Sequence, residues 1–228
     1  MDIVQQALKK GQKALSEYDS KRLLQAYGFP IVRETLVHSR AAAVKAAKEI
    51  GLPVVLKACS PEITHKTEKK LMEKDLRSLK EVQEAYDNVR ERAGGAHLDG
   101  VLIQEMVKGS RELVIGLIRD AQFGPCVMFG LGGIFTEVLK DVSFRIAPLE
   151  KRDALEMAKE IKGAAVLGAF RGMEPVDLDL LATMLINIGK LGLDLEAVKE
   201  IDVNPLIISG NKPIAVDALV VLDEKGKA

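Results

Sequence analysis

The sequence predicts an α+β fold of two lobes with a ligand cleft between them. Helical and strand patterns alternate over residues 2–107, and a strand-rich stretch follows between residues 111 and 149. The segment KGSR at residues 108–111 interrupts two strands and marks a boundary. We therefore expect a first lobe at residues 1–108, which includes the leading helices, and a second at residues 109–228. A cleft between two such lobes favours a small-ligand site.

Capping residues and turn residues set the element boundaries. Expected helices cover residues 2–16, 20–27, 40–50, 79–92, 150–161 and 177–192, with Ser39 and Ser78 as N-caps. Expected strands cover residues 31–37, 51–58, 100–107, 111–120 and 124–130, then two segments within 131–149, and finally 198–209 and 212–222. Residues 69–78 are expected to form a loop.

Charge and composition exclude several classes of protein. The chain has 228 residues, with 33 basic and 33 acidic side chains, no Trp, three Tyr and six Phe, so a nucleic-acid surface is not expected. The first twenty residues contain no apolar run, so we expect neither a signal peptide nor a membrane span there. We therefore expect a cytoplasmic protein. Cys59 and Cys126 lack CxxC spacing and are interpreted as buried reduced thiols.

Lys57 is a lone cation in the apolar run VVLKA. A lysine inside a strand is costly unless its ammonium group meets an anion, and a phosphate ligand would be such an anion. The alternative is an edge lysine whose ammonium group reaches water along its aliphatic stem. Both interpretations stay open at this point.

Two further patterns are compatible with a bound ligand, although charged residues are also common at the ends of strands. Glu105 and Glu112 flank one strand-to-strand connection, where their carboxylates could accept hydrogen bonds from ribose or adenine. In FGLGGIFTE, at residues 129–137, Gly132 and Gly133 allow the backbone to approach an anion closely. A tight turn between strands explains these glycines equally well.

Oxygen ligands gather in the last strands. Asp202 and Asn204 lie two residues apart in EIDVNP and so face the same side, and Asp217 lies in the apolar run IAVDALVV. Such ligands from paired strands suit Mg²⁺, although a structural Asp at a turn is the alternative. His65, in SPEITHKTE, is either a solvated histidine or a nucleophile or proton shuttle.

Several segments together resemble the β subunit of ADP-forming acetyl-CoA synthetases and, more distantly, the β subunit of succinyl-CoA synthetase. The resemblance covers residues 15–222, and its most specific block is FGLGGIFTEVLKDVSFRIAPL. The other segments are GLPVVLK, SPEITHKTE, QEMV with RELVIGLIRD, and EIDVNPLII with AVDA. The resemblance implies an ATP-grasp fold, with the nucleotide held between the two lobes.

The resemblance also implies a role for each candidate residue. Lys57 would contact the nucleotide phosphates, and Glu105 would lie at the adenine hinge beside the backbone of Met106 and Val107, with Glu112 near the ribose.

The resemblance assigns metal binding and phosphoryl transfer to the remaining candidate residues. Asn204 and Asp217 would hold Mg²⁺, with Asp202 close by. His65 would accept the phosphoryl group. The loop at residues 130–137, with Gly132, Gly133 and Glu137, would face a phosphohistidine that arrives from a partner.

The implied reaction is acyl-CoA + ADP + phosphate ⇌ carboxylic acid + CoA + ATP. ATP or ADP and Mg²⁺ are the implied cofactors. A CoA-binding α subunit, in an α₂β₂ complex, is the implied partner. The resemblance assigns the CoA chemistry to that partner, and this chain, which lacks a CoA-binding Rossmann unit, is not expected to complete the reaction alone.

One segment departs from the family pattern. Residues 69–78, KKLMEKDLRS, contain no glycine, whereas the family has a glycine loop there. The alternative function is therefore a non-catalytic or regulatory ATP-grasp domain with an altered phosphate loop. An ATP-grasp ligase that joins a carboxylate to an amine is a third hypothesis, and the block at residues 129–149 argues against it.

Overall fold

A computed structural model describes residues 2–62, 71–133, 141–169 and 172–223 of the chain. The helices are α1 (Asp2–Lys9), α2 (Glu17–Ala26), α3 (Arg40–Ile50), α4 (Leu79–Ala93), α5 (Lys151–Glu160) and α6 (Leu178–Asp194), with a 3₁₀ turn at Ala164–Leu167. No helix within the described ranges is long and apolar enough to cross a membrane.

Within the described ranges, ten strands form two antiparallel sheets. They are β1 (Glu34–Val37), β2 (Val54–Cys59), β3 (Met72–Leu76), β4 (Gly100–Glu105), β5 (Glu112–Asp120), β6 (Gly124–Leu131), β7 (Val142–Ile146), β8 (Val198–Ser209), β9 (Lys212–Ala215) and β10 (Leu219–Leu222). The first sheet has the order β1-β4-β2-β3, and the second has the order β10-β8-β5-β6-β7, with β9 also paired to β8.

Each sheet has its own apolar core. Helices α3 and α4 cover the first sheet, where their small residues, such as Ala43, Ala47 and Val82, pack against Val54 and Leu56. Helices α5 and α6 cover the second sheet. The predicted α+β class is therefore confirmed, and the chain runs directly from β4 to β5 through residues 106–111.

The leading helices pack differently from the sequence prediction, which grouped them with residues 1–108. Val4, Leu8, Leu23 and Leu24 are buried in the core of the second sheet. The physical reason is that the apolar faces of α1 and α2 are covered by that sheet and its helices. The division of the chain at residue 108 stays a prediction, while the packing of these two helices departs from it.

The first predicted helix is too long. Helix α1 ends at Lys9, and Gly11, at φ 68°, turns the chain out of the helical conformation. Residues 13–15 then pair with β10, since Leu15 donates its N–H to the carbonyl oxygen of Val220 at 2.9 Å. Helix α2 begins three residues earlier than predicted, with Ser16 as its N-cap.

Two strand predictions near the edges of the sheets also need correction. Residues 72–76, predicted as loop, form β3, which lies at the edge of the first sheet. An edge strand needs no apolar run, so MEKDL carries no clear strand pattern. The predicted strand at residues 212–222 is two strands, separated at residues 216–218. Of the two strands predicted within 131–149, β7 is present, and residues 134–140 lie outside the described residues.

Gly109 occupies the tightest point of the connection between the sheets. A Cβ atom on Gly109 would lie 2.3 Å from the carbonyl oxygen of Ile208 and 2.5 Å from Cγ2 of Ile207. Both atoms belong to β8, so the connection passes directly against the second sheet.

Replacement of this glycine should therefore destabilise the fold. Because a backbone oxygen cannot move aside cheaply, we expect Gly109→Ala to lower the free energy of unfolding by about 1–3 kcal/mol. Gly95→Ala is the matched control, since no atom lies within 4 Å of its added Cβ. Urea unfolding of both variants measures the difference, and equal stabilities would contradict the close approach.

Candidate functional site

Lys57 lies at the centre of the first sheet and is 3% exposed. Its Nζ atom is 2.8 Å from Oε1 of Glu17, 3.4 Å from Oδ2 of Asp217 and 3.4 Å from the carbonyl oxygen of Val216. Strands β3 and β4 flank β2 on both sides. The alternative of an edge lysine whose ammonium group reaches water is therefore wrong, and the phosphate contact stays a prediction.

A second buried lysine, which the sequence analysis missed, shares this cluster. Lys21 of α2 is fully buried, and its Nζ atom is 2.7 Å from Oε1 of Glu17 and 3.0 Å from Oε1 of Gln104. The same ammonium group also donates to Oε2 of Glu34 and, at 3.3 Å, to the carbonyl oxygen of Val216. The available signal was the pair Glu17 and Lys21, which lie four residues apart in EYDSKRLL.

We call Glu17, Lys21, Glu34, Lys57, Gln104 and Asp217 the ion cluster. Its members come from α2, from β1, β2 and β4 of the first sheet, and from the segment between β9 and β10. The ion cluster therefore lies where the leading helices, the first sheet and the second sheet meet.

Burial disfavours the charged forms of the side chains in the ion cluster, and the carboxylates offset this cost for the lysines. Burial disfavours the charged form of Lys57, but Glu17 and Asp217 outweigh it, so the pKa of Lys57 is raised. Burial raises the pKa of Glu34, although the Lys21 ammonium group acts in the opposite direction. Among the described residues, Oε1 of Glu34 is the buried side-chain atom that lacks a hydrogen-bond partner.

Of the predicted metal ligands, Asp217 belongs to the ion cluster, and Asp202 interacts electrostatically with it. Asp202 of β8 pairs with Gly116 of β5 on one side and with Leu219 of β10 on the other. Asp217 is two residues before Leu219, and its Oδ1 atom accepts the N–H of Ala218 at 2.9 Å. Burial, then the neighbouring Asp217 and Glu200, raise the pKa of Asp202 to about 6. Asp202 and Asp217 are thus electrostatically coupled carboxylates that a cation would stabilise.

This arrangement fits a magnesium ion that is completed by other ligands. Within the part of the chain that the structure describes, no three or more His, Cys, Asp or Glu side chains form a ready-made metal cluster. Asp202 and Asp217 supply carboxylates, and the exposed Asn204 supplies an amide oxygen on the same strand. Mg²⁺ commonly takes one or two carboxylates and completes its shell with phosphate oxygens and water.

The predicted adenine hinge lies at the end of β4. The Glu105 carboxylate is held by Arg33, whose Nε atom is 2.6 Å from Oε2 and whose backbone N–H donates to Oε1 at 3.1 Å. Met106 is 40% exposed, and Val107 is half-buried. The backbone after Glu105 is therefore at the surface of the connection between the sheets.

Glu112 and the two glycines lie together. Gly132 donates its N–H to the carbonyl oxygen of Glu112 at 2.8 Å. A Cβ atom on Gly133, at φ 65°, would lie 2.8 Å from Oε2 of Glu112. These glycines let the chain turn tightly against β5, which leaves their ligand role a prediction. His65 and Glu137 lie outside the described residues.

Asp202 should make stability depend on pH in the metal-free protein. The folded-state pKa of Asp202, about 6, lies above the ordinary aspartate value of 3.8. The protonated carboxyl group therefore contributes its full stability below about pH 4, and this contribution is lost as pH rises through about 6. We expect Asp202→Asn to raise the free energy of unfolding relative to the original chain. The increase should be larger at pH 7 than at pH 4, by at most about 3 kcal/mol.

Urea unfolding in EDTA at pH 4 to 7 measures this effect. Glu196→Gln, at an exposed carboxylate just before β8, is the control and should show no such trend. An equal effect of Asp202→Asn at every pH would contradict the raised pKa.

Comparisons with known proteins place this geometry in a family. A family profile described as an ATP-grasp domain matches residues 6–222. The β subunit of acetate–CoA ligase [ADP-forming] I from Pyrococcus furiosus is 43% identical over 225 residues, with 97% of each chain covered. The acetate–CoA ligase [ADP-forming] I of Archaeoglobus fulgidus is 39% identical over 98% of this chain, but over only 33% of its own length.

A solved structure agrees with the sequence relatives. Acetyl-coenzyme A synthetase 1 from Ca. Korarchaeum cryptofilum, described as dinucleotide forming, superposes with a TM-score of 0.86 at 42% identity and covers 97% of this chain and 99% of its own. That structure contains coenzyme A and Mg-AMPPCP, with a phosphohistidine segment pointing towards the nucleotide-binding site. The chain therefore belongs to the ATP-grasp family, among the β subunits of ADP-forming acetyl-CoA synthetases.

Proposed function

We propose that this chain is the nucleotide-binding, phosphoryl-transferring β subunit of an ADP-forming acyl-CoA synthetase. The reaction is acyl-CoA + ADP + phosphate ⇌ carboxylic acid + CoA + ATP. The observation that supports it most directly is the meeting of Lys57 and Asp217, at 3.4 Å, where the two sheets join. A cation for phosphates and a carboxylate for their metal ion are thus neighbours in a chain of this family.

Nucleotide binding uses both sides of this junction. Lys57 contacts the phosphates, and Asp217 and Asn204, with Asp202 close by, hold Mg²⁺. Bound Mg²⁺ supplies neutralising charge at the phosphates. The contacts of Lys57 with Asp217 and Val216 are long, at 3.4 Å each, so phosphate oxygens can replace them at little cost.

The base and the ribose are assigned to the connection between the sheets. The backbone of Met106 and Val107 pairs with the adenine edge beside Glu105, and Glu112 accepts from the ribose hydroxyls. The exposed residues Met106 and Glu112 support this assignment, and adenine would replace the 3.4 Å contact between the N–H of Met106 and the carbonyl oxygen of Pro53.

His65 carries the phosphoryl group. In the direction of ATP synthesis, the N–P bond of phosphorylated His65 breaks while an oxygen of the ADP β-phosphate forms the new P–O bond. The electron pair of the broken bond stays on the imidazole nitrogen, which then takes up a proton. The loop with Gly132, Gly133 and Glu137 faces the phosphohistidine of the partner, which supplies the group.

The acyl and CoA chemistry belongs to an α subunit, in an α₂β₂ complex in the cytoplasm. The β-subunit relative and the longer Archaeoglobus relative, in which this region is a third of the chain, support a partner. Cys59 and Cys126 are both free thiols, which suits a reducing compartment.

The alternative is a nucleotide-binding subunit without turnover. The observation that favours it is the glycine-free segment at residues 69–78, of which residues 72–76 form β3. A strand cannot wrap phosphates with its N–H groups as a glycine loop does. The two experiments below separate the alternatives, because binding and transfer are measured apart.

The first experiment measures nucleotide binding. We expect calorimetric titration with ADP to show binding that Mg²⁺ strengthens, and Asp217→Asn to weaken the Mg²⁺-dependent affinity at least tenfold, because a charged ligand is lost. Glu196→Gln, at an exposed carboxylate just before β8, is the control. Equal affinities with and without Mg²⁺ would argue against the assigned metal ligands.

The second experiment measures phosphoryl relay. In the complex reconstituted with the CoA-binding subunit, we expect His65→Ala to bind ADP nearly as before but to lose acyl-CoA-dependent ATP formation by several orders of magnitude, because the carrier nitrogen is missing. Retained turnover would remove His65 from the mechanism. An inactive complex with intact His65 and intact ADP binding would favour the non-catalytic alternative.

A further inference from the structure

One oxygen atom of Glu17 holds two buried ammonium groups. Its Oε1 atom lies 2.7 Å from Nζ of Lys21 and 2.8 Å from Nζ of Lys57, and the side chain is 1% exposed. Glu17 comes from α2, whose apolar residues pack in the core of the second sheet, whereas Lys57 belongs to the first sheet. The contact therefore fixes the Lys57 ammonium relative to the second sheet.

Glu17 is the strongest partner that Lys57 has. A lysine ammonium group has three N–H donors on a flexible stem, so its acceptors decide where it lies. The contact with Glu17 is 2.8 Å long, whereas those with Asp217 and Val216 are 3.4 Å. Because charge-assisted hydrogen bonds are strongest near 2.8 Å, Glu17 sets the position of the group.

Glu17 is itself held in place by the helix N-terminus and by Lys21. It is the first residue of α2, where the helix N-terminus favours a carboxylate. Lys21 lies one turn along the same helix and donates to Glu17, Glu34 and Gln104. Neither the carboxylate of Glu17 nor the ammonium of Lys21 can move without breaking buried contacts.

The charges of the ion cluster allow Asp217 to leave it. Asp217 is the most accessible carboxylate of the set, with its side chain 35% exposed. If Asp217 turns to a metal ion, two lysines and two glutamates remain, and their formal charges balance. Lys57 then keeps its contact with Glu17 and has one donor for an incoming anion, or two if the long contact with Val216 is also replaced.

We propose that Glu17 is a positioning residue, which holds the Lys57 ammonium group against the nucleotide phosphates. In the same state, Asp217 no longer contacts Lys57 and binds the metal ion instead. This inference rests on the proposed function, in which Lys57 contacts the phosphates. Glu17 does not touch the nucleotide and acts through Lys57.

The test uses the reconstituted complex and steady-state kinetics in the direction of ATP synthesis. We expect Glu17→Gln to raise KM for ADP about tenfold or more, because the neutral amide no longer fixes the ammonium. Glu34→Gln is the matched control: it also removes a buried carboxylate from Lys21, but Glu34 makes no hydrogen bond to Lys57. Its KM for ADP should stay within about twofold of the original value.

A double variant separates positioning from general damage. If Glu17 acts through Lys57, Glu17→Gln should have no further effect on KM once Lys57→Met is present. Equal KM changes in Glu17→Gln and Glu34→Gln, or independent effects of Glu17→Gln and Lys57→Met, would overturn the proposal. Glu17→Asp keeps the negative charge, but its shorter side chain places the carboxylate farther from Lys57, so this variant should also raise KM for ADP. If Glu17→Gln does not fold, the result for Glu17→Asp decides the question.

The same measurements distinguish the two proposals. If Lys57→Met leaves KM and Kd for ADP unchanged, the phosphate contact fails and the proposed function needs revision. If Lys57→Met weakens ADP binding while both Glu17 variants leave KM unchanged, the positioning role alone fails.

Discussion

The architecture depends on two ammonium groups that are buried together and share one carboxylate oxygen, Oε1 of Glu17. Burying Lys21 and Lys57 without partners would cost far more than a typical protein domain can lose. Their partners come from α2, from strands β1 and β4 of the first sheet and from the segment before β10. The same contacts that make burial tolerable therefore also require the two sheets to meet in one arrangement.

A buried ion network of this kind favours specificity of arrangement more than stability. Desolvation of paired charges is only offset when the geometry is good and the remaining hydrogen-bonding atoms are satisfied. In the ion cluster, Oε1 of Glu34 has no hydrogen-bond partner within the described residues, so the network is not optimised for stability alone. The retention of such a costly network is consistent with a site that has to present a charged group at a fixed place.

Local patterns predicted most elements, and tertiary contacts decided the rest. The N-caps Ser39 and Ser78 and the apolar strand around Lys57 are visible in the sequence, because they depend on neighbouring residues. The sequence also indicated that Lys57 needs an anion. It did not show that its own chain supplies one, because Glu17 is 40 residues away and the predicted helices left it between them. Strand β3 was missed for a related reason, since an edge strand depends on its neighbour for pairing and not on an apolar pattern of its own.

The first sheet is attached to the rest of the molecule through two adjacent segments. Residues 30–32 run in beside Ala215, residues 109–111 run out beside Ile208, and Arg33 and Glu105 are hydrogen bonded to each other. Glu34 and Gln104, paired in the register of β1 and β4, are the neighbours of Arg33 and Glu105 along the chain, and both accept from the Lys21 ammonium group. The covalent connections and the buried ion pairs therefore join the first sheet to the rest of the molecule at one place, so a substitution in either would loosen the same junction.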